Sequence, residues 1–561
     1  MLEIYEDRDR ENTGESEIMK RLLNKTIRIF FVGIIIASFI LVDSTTIKAE
    51  RLKTERFNMS YLYFGNSQSF VEYIPNTKGA LNTISPSYFD LSADGYLDEK
   101  VDPFFVAQMK KMNIRVVPFL SNHWNRQKGR EALKNREKLV DQLVDVITKY
   151  DLDGINVDLE NLTADDRDNY TDLIRLLREK LPPEKEVSVA VAANPYKLEI
   201  GWQGSYDYEE LAKFSDYLML MTYDESYYGS EPGPVASLKF VEKSIEYALE
   251  KVPPEKLVLG IPFYGRYWKI GEKGGRGISI SKVEELVDEF NGKVYFDNKS
   301  KTPYAVFTIP KDEHPKVHYR KLTPGKYIVW YEDDKSLKLK LRLVEKYNLL
   351  GTGSWSLNEA PKNIWNYYQS WLDGKHYFID TEKHWAENDI LSMLDRGWMV
   401  GTSEENFSPN LPLSRAQAVV VIVRALGLNN DFSVDNFSNF VDVDADYWAK
   451  NEIEIAYRYG IIKGVKEGYF APNEPLTRAQ MAAILSRILI DKNNVQIAEK
   501  PIDRFEDVNF NHWAYADIIN LSTRNIFMGY TDGKFHPNDY LSRGQMAALM
   551  NRIASKIMIN E

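Results

Sequence analysis

Short apolar runs alternate with amphipathic stretches between residues 57 and 372 of this 561-residue chain. Each run is bounded by turn residues, as buried strands are, and the stretches between them carry Leu and Val at the three- and four-residue spacing of helices. The runs predict eight strands, at residues 57–64, 81–85, 114–121, 154–161, 186–193, 217–224, 257–264 and 353–357. The stretches predict helices at residues 103–112, 131–150, 166–180, 238–251 and 337–347. This alternation predicts an α/β fold, a (β/α)₈ TIM barrel over residues 57–372, with reactive residues at the carboxyl ends of its strands.

Residues 270–327, between the last two predicted strands, break this alternation. The segment is rich in Gly, Lys and aromatic residues. Its glycines do not stand between a strand and a helix, so they do not predict a phosphate-binding loop. We expect a small inserted subdomain that lines one wall of a cleft.

A threefold repeat follows the barrel, with units predicted at residues 378–429, 440–490 and 505–554. In each unit a Trp stands 30 residues before an Arg, and that Arg follows a Ser or Thr that opens an apolar helical run. The residues concerned are Trp385, Trp448 and Trp513, and Arg415, Arg478 and Arg543. Because Ser and Thr are typical helix N-caps, we expect a mainly α-helical triple-repeat module, with each Trp in its core. A capping or salt-bridge role for each Arg is as well supported as contact with a ligand.

The first 49 residues have the features of an export signal. Residues 29–42 form an apolar run of 14 residues, which is shorter than the roughly 20 that span a bilayer as a helix. Positive residues precede the run, and a small-residue cleavage site at Ala49 follows it. The first 18 residues are acidic, which favours Met19 as the start of the signal. We expect secretion, with an uncleaved anchor or a buried helix as the alternatives, and membrane contact only through this segment.

Composition narrows the class of function. The formal charge of −11 argues against a nucleic-acid partner, which requires a basic surface. The 34 Tyr and 11 Trp suit carbohydrate, because flat rings stack on sugars, although many of them will be core residues. Without Cys the chain has no disulfide, thiol nucleophile or thiolate metal site. His314 and His318 lack the glutamate of a metalloprotease motif, so we expect no metal and no cofactor.

The fourth predicted strand carries two acids on one face. Asn156, Asp158 and Glu160 share a parity, and in a strand residues of one parity point the same way, about 6.6 Å apart. Glycosidic hydrolysis needs an acid for the leaving oxygen and a second group that stabilises positive charge at the anomeric carbon. Burial and the charge of Asp158 would both raise the pKa of Glu160 toward the working pH. This pair is therefore the candidate catalytic machinery.

The motif Asp153-Gly-x-Asn-x-Asp-x-Glu160, followed by Met221-Thr-Tyr-Asp224 and then Trp355, resembles the family 18 glycoside hydrolases over residues 57–371. The resemblance implies substrate-assisted, retaining cleavage at N-acetylglucosamine, in which the acetamido oxygen of the sugar attacks the anomeric carbon. Glu160 would protonate the leaving oxygen, and Asp158 would accept the acetamido N–H. Tyr223 would donate its hydroxyl to the acetamido oxygen, Trp355 would form the floor under the sugar, and Asp224 would help to hold the sugar. Further candidate sugar contacts are Asn156, Met221 and Asn194.

Most chitinases of this family have Asp where this chain has Asn156, and the Asn is more similar to the branch of spore-cortex and cell-wall N-acetylglucosaminidases. An Asp at this position could share a proton with Asp158, whereas neutral Asn makes only fixed hydrogen bonds. The triple repeat resembles S-layer homology domains, which bind the secondary polysaccharide of the bacterial cell wall. This second resemblance implies a secreted protein held on the wall or S-layer, with Arg415, Arg478 and Arg543 as candidate polysaccharide contacts.

Three hypotheses remain open at the level of sequence. The first is an exported wall hydrolase that cleaves β-1,4 bonds after N-acetylglucosamine in peptidoglycan or a related glycan, with chitin as the alternative substrate. The second is a non-catalytic glycan-binding wall protein built on the same barrel, although the presence of Glu160 disfavours it. The third is a structural surface-layer component, which leaves the paired acids unexplained.

Overall fold

The computed structural model describes residues 56–361, 363–428, 440–489 and 504–557. The predicted export segment at residues 29–42 lies outside this part of the chain. Within the described ranges, no helix combines the length and apolarity needed to cross a membrane.

Eight parallel strands close into a barrel, which confirms the predicted fold class. The last strand pairs with the first, so the ring is complete. The third strand is interrupted at Pro118, and its two halves pair with the second and the fourth strand. In order, the barrel strands are Phe57–Leu62, Thr83–Pro86, Arg115–Val116 with Phe119–Ser121, Gly154–Asp158, Glu186–Ala192, Tyr217–Met221, Leu257–Pro262 and Gly351–Trp355. A short antiparallel pair, Phe89–Leu91 with Leu97–Glu99, extends the sheet beside the third strand.

Helices cover the outside of the barrel, where Leu, Ile and Val of the strands and helices form the main hydrophobic core. The helices are Ser67–Tyr73, Pro103–Lys111, Arg126–Lys134, Arg136–Lys149, Arg167–Lys180, Tyr208–Phe214, Leu238–Leu249, Asp334–Lys346 and Tyr368–Leu372. The helix predicted at residues 131–150 is two helices, because the chain bends at Asn135 and its side chain bonds the carbonyl of Asp94. A smaller core of Met, Tyr and Phe fills the barrel interior.

The inserted subdomain is an antiparallel sheet between the seventh and eighth barrel strands. Its strands, in spatial order, are Arg276–Ser279, Tyr264–Lys269, Gly325–Trp330, Thr302–Ile309 and Lys293–Asp297. Helix Ile280–Glu289 packs on one face, and a hairpin of Lys316–Val317 with Arg320–Lys321 projects from the sheet. The sheet begins before residue 270, because strand Tyr264–Lys269 follows the seventh barrel strand after a single residue.

Each repeat contributes a pair of helices after the barrel. The helices are Glu387–Asp395, Arg415–Ala425, Lys450–Arg458, Arg478–Leu489, Tyr515–Thr523 and Arg543–Ile557. The segments before the longer helices bond one another in a ring: Leu413 N–H donates to Leu541, Leu541 N–H to Leu476, and Leu476 N–H to Leu413. The N-cap prediction is confirmed at all three helices, since each Ser or Thr oxygen accepts from the N–H three residues later.

Ion pairs join the first repeat to the barrel. Lys338 on helix Asp334–Lys346 lies 2.7 Å from the Glu382 carboxylate, and Lys335 lies 2.9 Å from Glu405. Lys301 of the inserted sheet also pairs with Glu405. The repeats are therefore attached to both the barrel and its insertion by charged contacts.

Candidate active site

The fourth barrel strand carries the two acids to the carboxyl edge of the barrel. It starts at Gly154, whose φ of +152° is a value that glycine adopts readily and other residues rarely do. A Cβ at this position would lie 2.2 Å from the carbonyl oxygen of Glu186, so a side chain does not fit there. Asp158 ends the strand and is 5% exposed. Glu160 follows, and Asn122 of the neighbouring strand end holds its backbone, accepting from its N–H at 2.9 Å and donating to its carbonyl at 2.8 Å. The position of the acid is thus set by two strands.

A chain of buried hydrogen bonds runs through the barrel interior beneath the acids. Tyr61 donates its hydroxyl to Asn156 Oδ1 at 2.8 Å, and Asn156 Nδ2 donates to Ser188 Oγ at 2.9 Å. Ser188 donates to Glu186 Oε1 at 3.0 Å, and Tyr217 donates to the same oxygen at 2.6 Å. Asn156 has no exposed surface, so it contributes to the site from below. Its amide is held in one orientation by partners on both sides.

The two acids hold protons more strongly than ordinary carboxyls. Asp158 Oδ1 is buried and has no hydrogen-bond partner among the described residues. Burial raises the pKa of Asp158 to about 7. The pKa of Glu160 is raised well above its ordinary value by burial first, and then by the charges of Asp158 and Asp224. A proton on Glu160 at neutral pH follows from this arrangement, which suits a general acid.

The segment that follows the sixth strand supplies a phenol and a third carboxylate. Burial raises the pKa of Tyr223 far above its usual range, followed by the charges of Tyr264 and Asp158, so this hydroxyl remains a hydrogen-bond donor. Asp224 follows directly and has a φ of +56°. Its Oδ1 accepts from Tyr264 at 2.9 Å and from the guanidinium of Arg266. Met221, at the end of the sixth strand, belongs to the core inside the barrel.

Trp355 ends the eighth strand and lies in an aromatic cluster. Its ring centroid is 5.3 Å from those of Tyr61 and Tyr63, and 6.1 Å from that of Phe119. Because Tyr61 also contacts Asn156, the tryptophan and the motif strand share a neighbour. The position of Trp355 is consistent with a floor beside the acids.

Asn194 already has a structural partner. Its Oδ1 accepts from Leu198 N–H at 2.7 Å, and its Nδ2 donates to the Leu198 carbonyl at 2.9 Å. The side chain is 2% exposed. Contact between Asn194 and a sugar therefore stays a prediction, beside an evident role in ordering its own loop.

The structure thus brings Asp158, Glu160, Tyr223, Asp224 and Trp355 to one edge of the barrel. The sequence reasoning missed the residues that support them, namely Tyr61, Asn122, Glu186, Ser188 and Arg266. Glu186 and Ser188 had a detectable signal: they are polar residues of one parity in an otherwise apolar predicted strand. Asn122 and Arg266 had none, because only the closed barrel and the inserted sheet bring them to the site.

No group of His, Asp or Glu in the described ranges is arranged to hold a metal ion. The side chains that the site presents are two carboxyl groups and a phenol, which bind and release protons or donate hydrogen bonds.

The repeats form a second candidate site. The Nε of each predicted arginine donates to a phenylalanine carbonyl of another repeat at 2.8 Å; the pairs are Arg415 with Phe470, Arg478 with Phe535 and Arg543 with Phe407. Each guanidinium also lies 4.5 to 4.6 Å from the ring centroid of that phenylalanine. The arginines therefore connect successive repeats, in addition to any contact with a ligand.

The prediction that each Trp lies in the core of the repeats is wrong. Trp385, Trp448 and Trp513 are 65%, 59% and 63% exposed. The core is built instead from aliphatic side chains and paired Phe rings in each repeat, with Trp398 as a tryptophan that the spacing did not single out. Two cavities between repeats, of about 260 and 270 Å³, are lined by Arg415 with Trp513 and by Arg478 with Trp385.

Comparison with known proteins supports both resemblances. The model of the Glycosyl hydrolases family 18 matches residues 12–360, and that of the S-layer homology domain matches residues 378–419, 439–482 and 504–547. The uncharacterized glycosylase YvbX of Bacillus subtilis is 25% identical over 51% of this chain and 83% of its own. The cortical fragment-lytic enzyme of Bacillus subtilis is 28% identical over 42% of this chain, but the match spans only 53% of that relative. A chitinase crystal structure from Chromobacterium violaceum shares the fold, with a TM-score of 0.51 and 23% identity, over 56% of this chain and 99% of the other.

Proposed function

The chain belongs to family 18 of the glycosyl hydrolases and carries three S-layer homology repeats, and we propose that it is an exported, wall-bound glycosidase acting on N-acetylglucosamine-containing glycan. It cleaves β-1,4 bonds by substrate-assisted, retaining catalysis, and peptidoglycan or a related wall glycan is its substrate. Chitin is the alternative substrate.

One observation carries this proposal. Asp158 presents a buried carboxylate oxygen with no partner in the described structure, directly beside Glu160, which retains its proton. A buried acceptor without a donor destabilises a fold by about 1 to 3 kcal/mol, so its retention indicates a ligand that completes it. The acetamido N–H of a bound N-acetylglucosamine is a donor of the right kind.

The proposed reaction follows from these roles. Glu160 protonates the leaving oxygen, and the acetamido oxygen of the substrate attacks the anomeric carbon to form a cyclic oxazolinium. Asp158 accepts the acetamido N–H and stabilises the positive charge, while Tyr223 donates to the acetamido oxygen and aligns it. Glu160, now ionised, removes a proton from the water that opens the ring. Trp355 supports the sugar from below, and Asp224 orients it.

The repeats attach the enzyme to the wall in this proposal. Each of the two cavities between repeats combines an arginine with an exposed tryptophan ring. These two groups suit an anionic polysaccharide, because a guanidinium pairs with acidic substituents and a flat ring stacks on a sugar. Arg415, Arg478 and Arg543 are the expected contacts with the secondary cell-wall polysaccharide. The two cavities support this role for Arg415 and Arg478, and the family match supports it for all three.

Mass analysis of the products from muropeptide glycan and from chitooligosaccharides tests the catalytic proposal. The wild type should release fragments with a new N-acetylglucosamine reducing end, and Glu160→Gln should lower the rate about 10² to 10⁴-fold. The matched control Glu137→Gln changes an exposed acid on a barrel helix and should retain full activity. If the wild type released no product from either glycan, the proposed hydrolase function would be rejected in favour of a glycan-binding wall protein.

A further inference from the structure

A cavity of about 350 Å³ lies in the inserted sheet, beside the candidate active site. Its walls come from strands Tyr264–Lys269 and Arg276–Ser279, from the hairpin around His318 and from the loop that carries Tyr228. Three arginines line it: Arg266, Arg276 and Arg320. None of the lining residues is an acid.

Two of the three arginines in this cavity, Arg276 and Arg320, have no ion-pair partner in the described part of the chain. Arg266 pairs with Asp224 through one nitrogen, while its Nε is buried and has no hydrogen-bond partner among the described residues. Arg276 lies 5.4 Å from the ring centroid of Tyr228, and neither Arg276 nor Arg320 forms an ion pair in the described ranges. The two unpaired like charges on one space repel each other, and an anion between them removes that repulsion.

Two features connect the cavity to the candidate active site. The first is Arg266, which lines the cavity and also donates to Asp224, the residue that helps raise the pKa of Glu160. The second is an exposed row of aromatic rings, in which successive ring centroids lie 5.3, 4.9 and 6.0 Å apart. The row runs from Trp355 through Tyr63 and Phe64 to His318.

We propose that this cavity binds a carboxylate borne by the glycan substrate and so makes the enzyme selective for acidic glycan over neutral glycan. A sugar chain that stacks on the aromatic row extends from the Trp355 floor to the arginines. The planar fork of a guanidinium donates two parallel hydrogen bonds to a carboxylate, which Lys cannot do. Peptidoglycan bears carboxylates on lactyl groups that carry no peptide and on the peptides themselves, and chitin bears none. This inference rests on the proposed hydrolase function and names the substrate class that the site selects.

The test compares muropeptide glycan with a chitooligosaccharide of equal length on the full chain. In Arg276→Gln/Arg320→Gln, the ratio of kcat/KM for the acidic glycan to that for the neutral glycan should fall at least about tenfold, through KM rather than kcat. The control Lys293→Gln/Lys299→Gln removes the same charge from exposed positions of the inserted sheet, away from the cavity, and should keep the wild-type ratio. Binding of both glycans to Glu160→Gln, with and without the arginine substitutions, supplies the affinities in the absence of turnover.

The outcomes separate this inference from the proposed function. An unchanged ratio with active enzyme, or an equal loss on both glycans, overturns the carboxylate site and leaves the hydrolase intact. Absence of turnover on either glycan, with acidic glycan still bound through the arginines, overturns the hydrolase and leaves the carboxylate site intact. Equal loss of the ratio in the lysine control would show a general charge effect and would also overturn the site.

Discussion

Asp158→Asn should stabilise the barrel at pH 8 and change its stability little at pH 4. The side chain is 5% exposed, and its Oδ1 has no partner in the described structure. Asn has nearly the same shape and stays neutral at every pH. The substitution therefore removes the cost of burying a charge without opening a cavity, at the expense of the catalytic role proposed for the acid.

The magnitude follows from the pKa. Burial raises the pKa of Asp158 from 3.8 to about 7. Between pH 3.8 and about 7 the folded barrel keeps a proton on Asp158 that the unfolded chain has released, so the free energy of unfolding falls as pH rises. Each pKa unit corresponds to about 1.4 kcal/mol, so the wild type loses about 4 kcal/mol between pH 4 and pH 8 through this one group. Asp158→Asn should recover most of that loss.

Pulsed hydrogen exchange with mass spectrometry along a urea titration measures the stability of the barrel. Peptides of strands Gly154–Asp158 and Glu186–Ala192 report the unfolding of the barrel separately from that of the repeats. The urea concentration at which half of the barrel is unfolded should be higher for Asp158→Asn than for the wild type at pH 8, and the same for both proteins at pH 4. Asp145→Asn, an exposed acid on a barrel helix, is the matched control and should follow the wild type at both values. If the two variants show the same midpoints at pH 8, the carboxyl carries no buried charge and the reasoning is wrong.

Three further predictions concern other parts of the molecule. Asn156→Asp should retain activity but move the acidic limb of the pH–rate profile to higher pH, because a second carboxylate opposes ionisation of Asp158; an unchanged profile would reject that coupling. Lys340→Met should destabilise the protein by about 3 to 5 kcal/mol in urea, because it leaves fully buried Glu332 unpaired; Glu332→Gln/Lys340→Met should recover most of the loss, and failure to recover would point to packing instead. Trp513→Ala should weaken sedimentation with cell walls while changing stability by less than about 0.5 kcal/mol, whereas a loss of about 3 to 5 kcal/mol would show that the ring is core after all.

The barrel was predictable because its signals are local. A buried strand shows as a short apolar run and a covering helix shows as three- and four-residue spacing, so the eight strands could be placed within a few residues. The shared face of Asn156, Asp158 and Glu160 follows from strand geometry alone. The break at Asn135 was missed because neither half of residues 131–150 departs from helical spacing; only the contact with the Asp94 carbonyl, distant in sequence, shows the bend.

The sequence by itself determined the order of strands and helices, the pairing of the two acids on one face and the threefold repeat, since each of these is written in the spacing of neighbouring residues. Tertiary structure alone decided which groups surround them: the chain of bonds from Tyr61 to Glu186, the exposure of the repeat tryptophans, and the three arginines around one cavity. The physical reason is that burial and electrostatics depend on atoms brought together from distant segments when the barrel and the inserted sheet close, and no local pattern records those distances.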